Sequence, residues 1–264
     1  PHSTKRLAIV SELGRAIREN QLCLYNQPKV LLGEKRCYGF EALIRWIHPE
    51  LGFVSPVDFI PMAELTTLIH QLTAWVLEKA IEQCRSWQDQ GMSLSIAVNL
   101  SARNLMDDNI PKLVERLLLK YKLPAARLEL EITESTLIDD APKFIDTLHA
   151  LKTLGVKLAI DDFGTGYSSL KYIQDFPLDA IKIDRSFVFN IGKNKNTAII
   201  DTIITLAESL NVICIAEGVE TTLQRDYLLS KNCYFMQGYL YSKPLPAEQL
   251  IVKLLSFTEI ADLG

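Results

Sequence analysis

What this chain lacks narrows it first. None of its 264 residues falls in an apolar run approaching the roughly 18 positions that cross a bilayer, and no charged-then-apolar leader comes before its first periodic segment. A basic excess is missing too. Lys and Arg number 28 against 32 Asp and Glu, a net charge of −4, which is the wrong sign for holding a nucleic acid polymer. The five cysteines (Cys23, Cys37, Cys84, Cys214, Cys233) show neither a CxxC nor a Cys/His metal spacing, so they read as reduced thiols of a cytoplasmic protein. With no low-complexity, Ser-rich or Pro-rich tract to mark a linker, we expect one domain over residues 1–264, of which 1–20 form a helical lead-in. The chain opens Pro-His-Ser rather than with Met. We therefore expect an excised piece of a longer multidomain parent, with any inner-membrane anchor or sensor outside it.

What is present is a repeating pattern. Apolar runs of strand length lie at 22–25, 37–46, 95–98, 128–132, 156–160, 180–183, 212–216 and 233–236. Amphipathic helical segments at 72–87, 110–121, 142–155, 197–210 and 223–232 fall between them, with Gly155 where a helix C-cap belongs. Strands alternating with helices imply parallel βα units, and eight of them suggest an α/β fold, a (β/α)8 barrel of the triosephosphate isomerase type. Only about a dozen residues separate Tyr25 from Cys37, too few for a parallel crossover, so a hairpin and an antiparallel first strand are expected.

Polar groups gather where the runs stop: Glu41, Asn99, Glu131, Asp161 with Asp162, Lys182, Glu217 and Gln237. In a parallel barrel those ends share the face that carries active sites. Alternation refines the placement. Glu41, Leu43 and Arg45 share one face; Lys182 goes with Asp184; Glu129 and Glu131 turn inward if Leu128 and Leu130 face the helices. An interior carboxylate is costly unless paired or metal-bound. Asp161 and Asp162, side by side, need a compensating cation, which the dipeptide alone leaves open as metal, lysine or water. An oxygen-only donor set suits Mg²⁺ or Mn²⁺ rather than Zn²⁺. Two such ions about 3.5 to 4 Å apart are a device for in-line displacement at phosphorus.

The motifs GFEALIRW (39–46), VNLS (98–101), ELEITES (129–135), DDFGTGYSSL (161–170), IKIDRSFV (181–188), IAEGVE (215–220) and QGYLYSKPLP (237–246) together resemble an EAL domain. The resemblance implies a phosphodiesterase that opens cyclic di-GMP to linear pGpG on a barrel with an antiparallel first strand. It implies metal ligation by Glu41, Asn99, Glu131 and Asp161, with Asp161, Asp162 and Glu217 serving a second ion, Mg²⁺ or Mn²⁺. Lys182 matches the lysine beside the attacked phosphate, and Glu217 matches a residue also assigned as general base. Gln27, Leu43, Arg45, Asp184, Glu220 and Gln237 would surround the nucleotide. Glu134 would anchor the loop 163–169, which the family couples to dimerisation; Ser168 or Ser169 would cap a helix opening at Leu170. Asn26 stands where an aromatic commonly precedes Gln-Pro, a departure expected to change how one guanine is held while touching no metal ligand.

Expected partners are cyclic di-GMP, a second copy of the chain through segments such as 170–176, and a diguanylate cyclase-like or sensor domain in the parent, with no membrane contact by this domain. The same segment could instead pack on its own barrel. Ca²⁺ should inhibit, because its looser shell spoils octahedral geometry. Two rivals stay open. A receptor would bind cyclic di-GMP without cleaving it. A class I aldolase would use Lys182 as a Schiff base, although nearby carboxylates oppose the lowered pKa such a lysine needs.

Overall fold

A computed structural model describes residues 2–139, 141–166, 170–193 and 197–250. Its strands are β1 (Leu22–Leu31), β2 (Arg36–His48), β3 (Gly52–Val54), β4 (Ser95–Leu100), β5 (Leu128–Thr133), β6 (Lys157–Phe163), β7 (Ala180–Ile183), β8 (Ile213–Ala216) and β9 (Phe235–Gln237). They hydrogen-bond in the order β1-β9-β8-β7-β6-β5-β4-β2-β3, and a β1–β2 pairing closes the ring. The result is an eight-stranded barrel with β3 outside it. β1 runs antiparallel to both of its neighbours, whereas β2 to β4, and each later step round to β9, is parallel. The expected barrel and its reversed first strand are both present.

Differences from the sequence reading have local causes. β1 continues beyond Tyr25 to Leu31 because pairing with β2 carries along the polar Asn26-Gln27-Pro28-Lys29, which periodicity reads as a strand's end. β3 is three residues long, between Gly52 and Pro56, and pairs only with the outer end of β2; so short a piece has no period to detect.

Outward-facing residues of the strands meet the helices in the main core, where Phe40 lies 4.7 Å centroid to centroid from Trp87 of the helix Leu68–Asp89. The lead-in helix His2–Arg18 joins a second cluster around Trp46 and Phe59. The helix Ala141–Thr153 is followed by Gly155 at φ +92°, its N–H on the Lys152 carbonyl, as the C-cap expectation requires. Inside the barrel, Ala159, Ala180 and Ile215 form a small buried apolar layer with Phe235 against it. The interior above that layer is ionic.

Candidate active site

Ladder register sets the ionic residues beside one another. Gln27 stands opposite Glu41 across β1 and β2, Asn99 beside Glu131 across β4 and β5, and Thr133 beside Asp161 across β5 and β6. Strict alternation would send Asp161 and Asp162 to opposite faces. A bulge prevents this: between Ile160 and Phe163, β6 spends one more residue than β7 does between Ile181 and Ile183. Asp162 absorbs the turn with φ +54°, a left-handed backbone that Asp tolerates better than most residues, and its N–H donates to Asp161 Oδ1 at 2.9 Å. Two consecutive carboxylates thereby join one cluster.

The cluster surrounds Lys182, which is fully buried. Its Nζ lies 2.6 Å from Glu131 Oε2, 2.7 Å from Glu217 Oε1, 3.1 Å from Asp161 Oδ1 and 3.7 Å from Glu41 Oε2. Four strands thus aim a carboxylate, or the residue just after the strand, at one ammonium. Below it, Lys29 of β1 pairs with Glu129 and lies 3.2 Å from Glu131 Oε1.

Protonation follows from who flanks whom. Burial alone would raise Glu131, but Lys182 and Lys29 on its two sides bring it down to about 2. Burial also raises Glu41 and Glu217; Lys182 opposes this, while the neighbouring carboxylates add to it. Asp162 is pushed up to about 6 by burial and by the charges of Asp161 and Asp184. Burial would lower Lys182, yet its four acidic partners hold it well above the usual range. One lysine does not neutralise this many carboxylates.

That surplus is the test of a metal, and the residues fit one. Glu41, Glu131 and Asp161 each offer an oxygen within 4.8 Å of the others, and so do Asp161, Asp162 and Glu217. Donors of oxygen alone, in two sets sharing Asp161, suit a hard divalent cation.

Around this centre, Gln237 donates to Glu41 Oε2 (2.7 Å) and Gln27 Oε1 (2.9 Å), while Gln27 donates to the Ser242 carbonyl (3.2 Å). These glutamines orient Glu41 from behind. Asn99 donates its Nδ2 to Glu41 Oε1 at 2.8 Å. The Arg45 guanidinium lies 5.3 Å from the Tyr25 ring centroid. With Leu43 and Asn99, Arg45 lines a cavity of about 280 Å³ whose other walls include Pro56, Ile60 and Glu64. Asp184 caps the helix Arg185–Val188, accepting from Ser186 N–H at 3.0 Å. Glu220 is exposed and is tied in through its backbone N–H, which donates to Gln224. The structure does not bring its carboxylate into the cluster.

Buried Glu134 accepts the N–H groups of Gly164 (2.8 Å) and Gly166 (3.1 Å) with one oxygen. Gly164 has φ +98°, and a Cβ there would sit 2.8 Å from the Phe187 ring, so only glycine fits. The capping expectation at Ser168 and Ser169 lies outside the described residues.

Asn26 is turned away from Gln27 on the alternating strand and lines an outer cavity with Leu24, Trp75 and Gln83. Lys29 is the residue that sequence reasoning missed. Its signal was available, since Tyr25, Gln27 and Lys29 share a face once β1 is extended. Pro56, Ile60 and Glu64 left no such trace.

Comparison with known proteins gives the family. The EAL domain family pattern matches residues 10–244. A "bifunctional diguanylate cyclase/cyclic di-GMP phosphodiesterase MucR" of Pseudomonas aeruginosa is 41% identical over 255 residues, covering 96% of this chain and 37% of that protein. The "cyclic di-GMP phosphodiesterase NbdA" of the same organism is 42% identical over 94% of this chain and 32% of its own length. The chain thus spans about a third of these curated relatives. The solved structure "PaMucR phosphodiesterase, c-di-GMP complex" superposes with a TM-score of 0.88 at 42% identity, over 92% of this chain and 99% of that one.

Proposed function

The chain belongs to the EAL domain family, and from that membership we propose that it is a metal-dependent phosphodiesterase opening cyclic di-GMP to linear pGpG. The observation that carries this reading is the pair of carboxylate triads sharing Asp161 around one buried lysine. In the reaction water adds at one phosphorus of the ring. The bond from that phosphorus to a ribose 3′ oxygen breaks, and the water's proton ends on that oxygen.

Glu41, Asn99, Glu131 and Asp161 would hold one ion, and Asp161, Asp162 and Glu217 the other. Bound there, Mg²⁺ or Mn²⁺ supplies Lewis-acid polarisation at phosphorus. Lys182 steadies the attacked phosphate with its ammonium, a charge developed inside a water-poor barrel where it acts strongly. Glu217 either accepts the water's proton at a carboxylate oxygen or donates that oxygen to the second ion, and the two uses exclude each other. Arg45 is suited to clamp a phosphate oxygen, since its fork is planar and permanently charged. Leu43 supplies apolar contact to a base, and Gln27 and Gln237 hold Glu41 at its angle. Asp184 and Glu220 shape the rim. Glu134 holds the loop that follows Asp162, and through it a homodimer.

The parent protein carries further domains, a diguanylate cyclase-like or sensor module among them, and this domain works in the cytoplasm. The cysteines are free thiols; separately, among the described residues no helix is long and apolar enough to cross a membrane.

The test is chromatography of cyclic di-GMP incubated with the protein and Mg²⁺ or Mn²⁺, with and without EDTA. pGpG forms only with metal. Ca²⁺ in place of Mg²⁺ suppresses it, because its ligands lie at 2.3–2.6 Å rather than 2.0–2.1 Å. Tight binding of the dinucleotide with no product under any metal would overturn the reading in favour of a receptor.

A further inference from the structure

We infer that Lys29 is a positioning residue of this centre, reaching across the barrel from β1 to fix the Glu131 carboxylate between two ammonium groups. The inference rests on the phosphodiesterase reading for its consequence, and on geometry for its existence. The Lys29 side chain is 1% exposed, with its Nζ ion-paired to Glu129 and 3.2 Å from Glu131 Oε1. The other oxygen of the same carboxylate, Oε2, is 2.6 Å from Lys182. With a cation on each oxygen, Glu131 cannot rotate about its terminal bond without giving up one of them. The Tyr38 ring, its centroid 5.8 Å from Nζ, bounds Lys29 on another side.

A lysine in such a place is not an inexpensive way to fill space. Removing an ammonium from water carries a large desolvation cost that its partners must offset. The apolar layer of Ala159, Ala180 and Ile215 shows that this same interior is packed with aliphatic residues where only packing is needed. Lys29 also does not face solvent or a free anion; its acidic partners are Glu129 and Glu131. Glu131 is a member of the Glu41, Glu131 and Asp161 triad, so whatever sets its plane sets one side of that triad. Lys29 is thus to Glu131 what the hydrogen-bond partners of metal ligands are elsewhere, the group behind the ligand that holds it at the productive angle. It also bears part of the Glu131 charge, which otherwise falls wholly on Lys182 and would hold that lysine away from a phosphate.

The experiment compares Lys29→Met and Lys29→Arg with the wild-type chain. Mn²⁺ affinity is read from the electron paramagnetic resonance signal of the free ion, and kcat and KM from pGpG formation. For Lys29→Met, Mn²⁺ affinity and kcat each fall by about 10- to 100-fold, while KM for cyclic di-GMP stays within about threefold. Lys29→Arg, which keeps the charge, recovers part of both. A Lys29→Met protein that melts earlier but binds Mn²⁺ and turns over like the wild type would overturn the inference, since that is what a packing role predicts.

Should Lys29→Met fail to fold by circular dichroism, Glu129→Gln carries the test. It loosens the lower tether of Lys29 and lowers Mn²⁺ affinity several-fold; unchanged affinity there is equally fatal. The two readings separate cleanly. No product from the wild type, together with weakened Mn²⁺ binding in Lys29→Met, removes the phosphodiesterase and keeps the positioning role. Product from the wild type with an unaltered Lys29→Met removes the positioning role alone.

Discussion

The two ends of the barrel treat charge in opposite ways. At the end where the parallel strands begin, Asp179 is matched by an ion pair with Lys152, by Lys157 at 3.0 Å and by the Leu158 N–H at 2.9 Å. Burial would raise its pKa, but these three partners hold it below the usual range. At the end where the strands finish, Lys182 faces Glu41, Glu131, Asp161 and Glu217, and of these four only Glu131 has a second lysine, Lys29, among its described ion pairs. The first end is balanced by the chain itself and serves stability. The second is left short of positive charge, and with Asp162, a non-glycine residue, at positive φ it also carries backbone strain. A fold at equilibrium with its own charges has little use for such a deficit; a site that takes its missing charge from outside does.

Mutations that remove or restore charge at each end break or sharpen this contrast. The largest effect belongs to Asp161→Asn, because Asp161 serves both triads: turnover falls by about 10³-fold or more, equivalent to several kcal/mol of transition-state stabilisation. The melting temperature of the EDTA-treated protein stays level or rises, since a repulsive charge has gone. Near-normal turnover, or a large drop in metal-free stability, would contradict the picture of a crowded mouth.

Lys182→Met comes next. Its kcat falls by roughly 10²- to 10³-fold, Mn²⁺ affinity is kept or tightened, and the metal-free protein loses about 3–5 kcal/mol, the usual result of removing one partner of a buried pair. Added Mn²⁺ restores part of that loss in a thermal melt; no restoration would separate the lysine's role from the cation's.

Gly164→Ala should cost on the order of 1–3 kcal/mol of stability through strain, because the backbone there is at φ +98° and the Phe187 ring stands 2.8 Å from the new methyl. Denaturant titration measures it, and a neutral substitution would mean that the loop relaxes freely.

The smallest effect is at the other end. Asp179→Asn loses about 1–2 kcal/mol at pH 7 and leaves kcat unchanged. Asp179 has a depressed folded pKa, so its stabilisation is complete above the unfolded value near 3.9 and disappears as pH falls through the folded one. The gap between wild type and variant therefore closes in acid. A gap that persists below that range, or an effect on turnover, would sink the assignment of this end to stability.

Legibility differed in the same way between regions. Glu129 and Glu131 were placed inward from the neighbouring leucines alone, and the structure has them there beside Lys29 and Lys182. The reversed β1 followed from the short connection to β2. Lys29 was not legible because its strand was read as ending at Tyr25, before the polar residues that pairing draws in. The cavity walls Pro56, Ile60 and Glu64 come from the helix Pro56–Glu64, whose acidic residues Asp58 and Glu64 follow none of the apolar runs read as strands, so the strand-end rule does not mark them. A sequence motif gives a position along the strand, whereas the face it points to depends on which neighbour defines the inside.

The amino-acid order by itself determined which strand carries which charge, and on which of its two faces, because alternation is a local consequence of backbone geometry. Closure of the barrel decided the rest. How far Lys182 lies from carboxylates on other strands, whether Lys29 spans the interior to reach Glu131, and whether Asp161 and Asp162 share a mouth that alternation denies them depend on ladder register and one bulge in β6. Those are relations between segments distant along the chain, and they exist only once the ring of hydrogen bonds is complete.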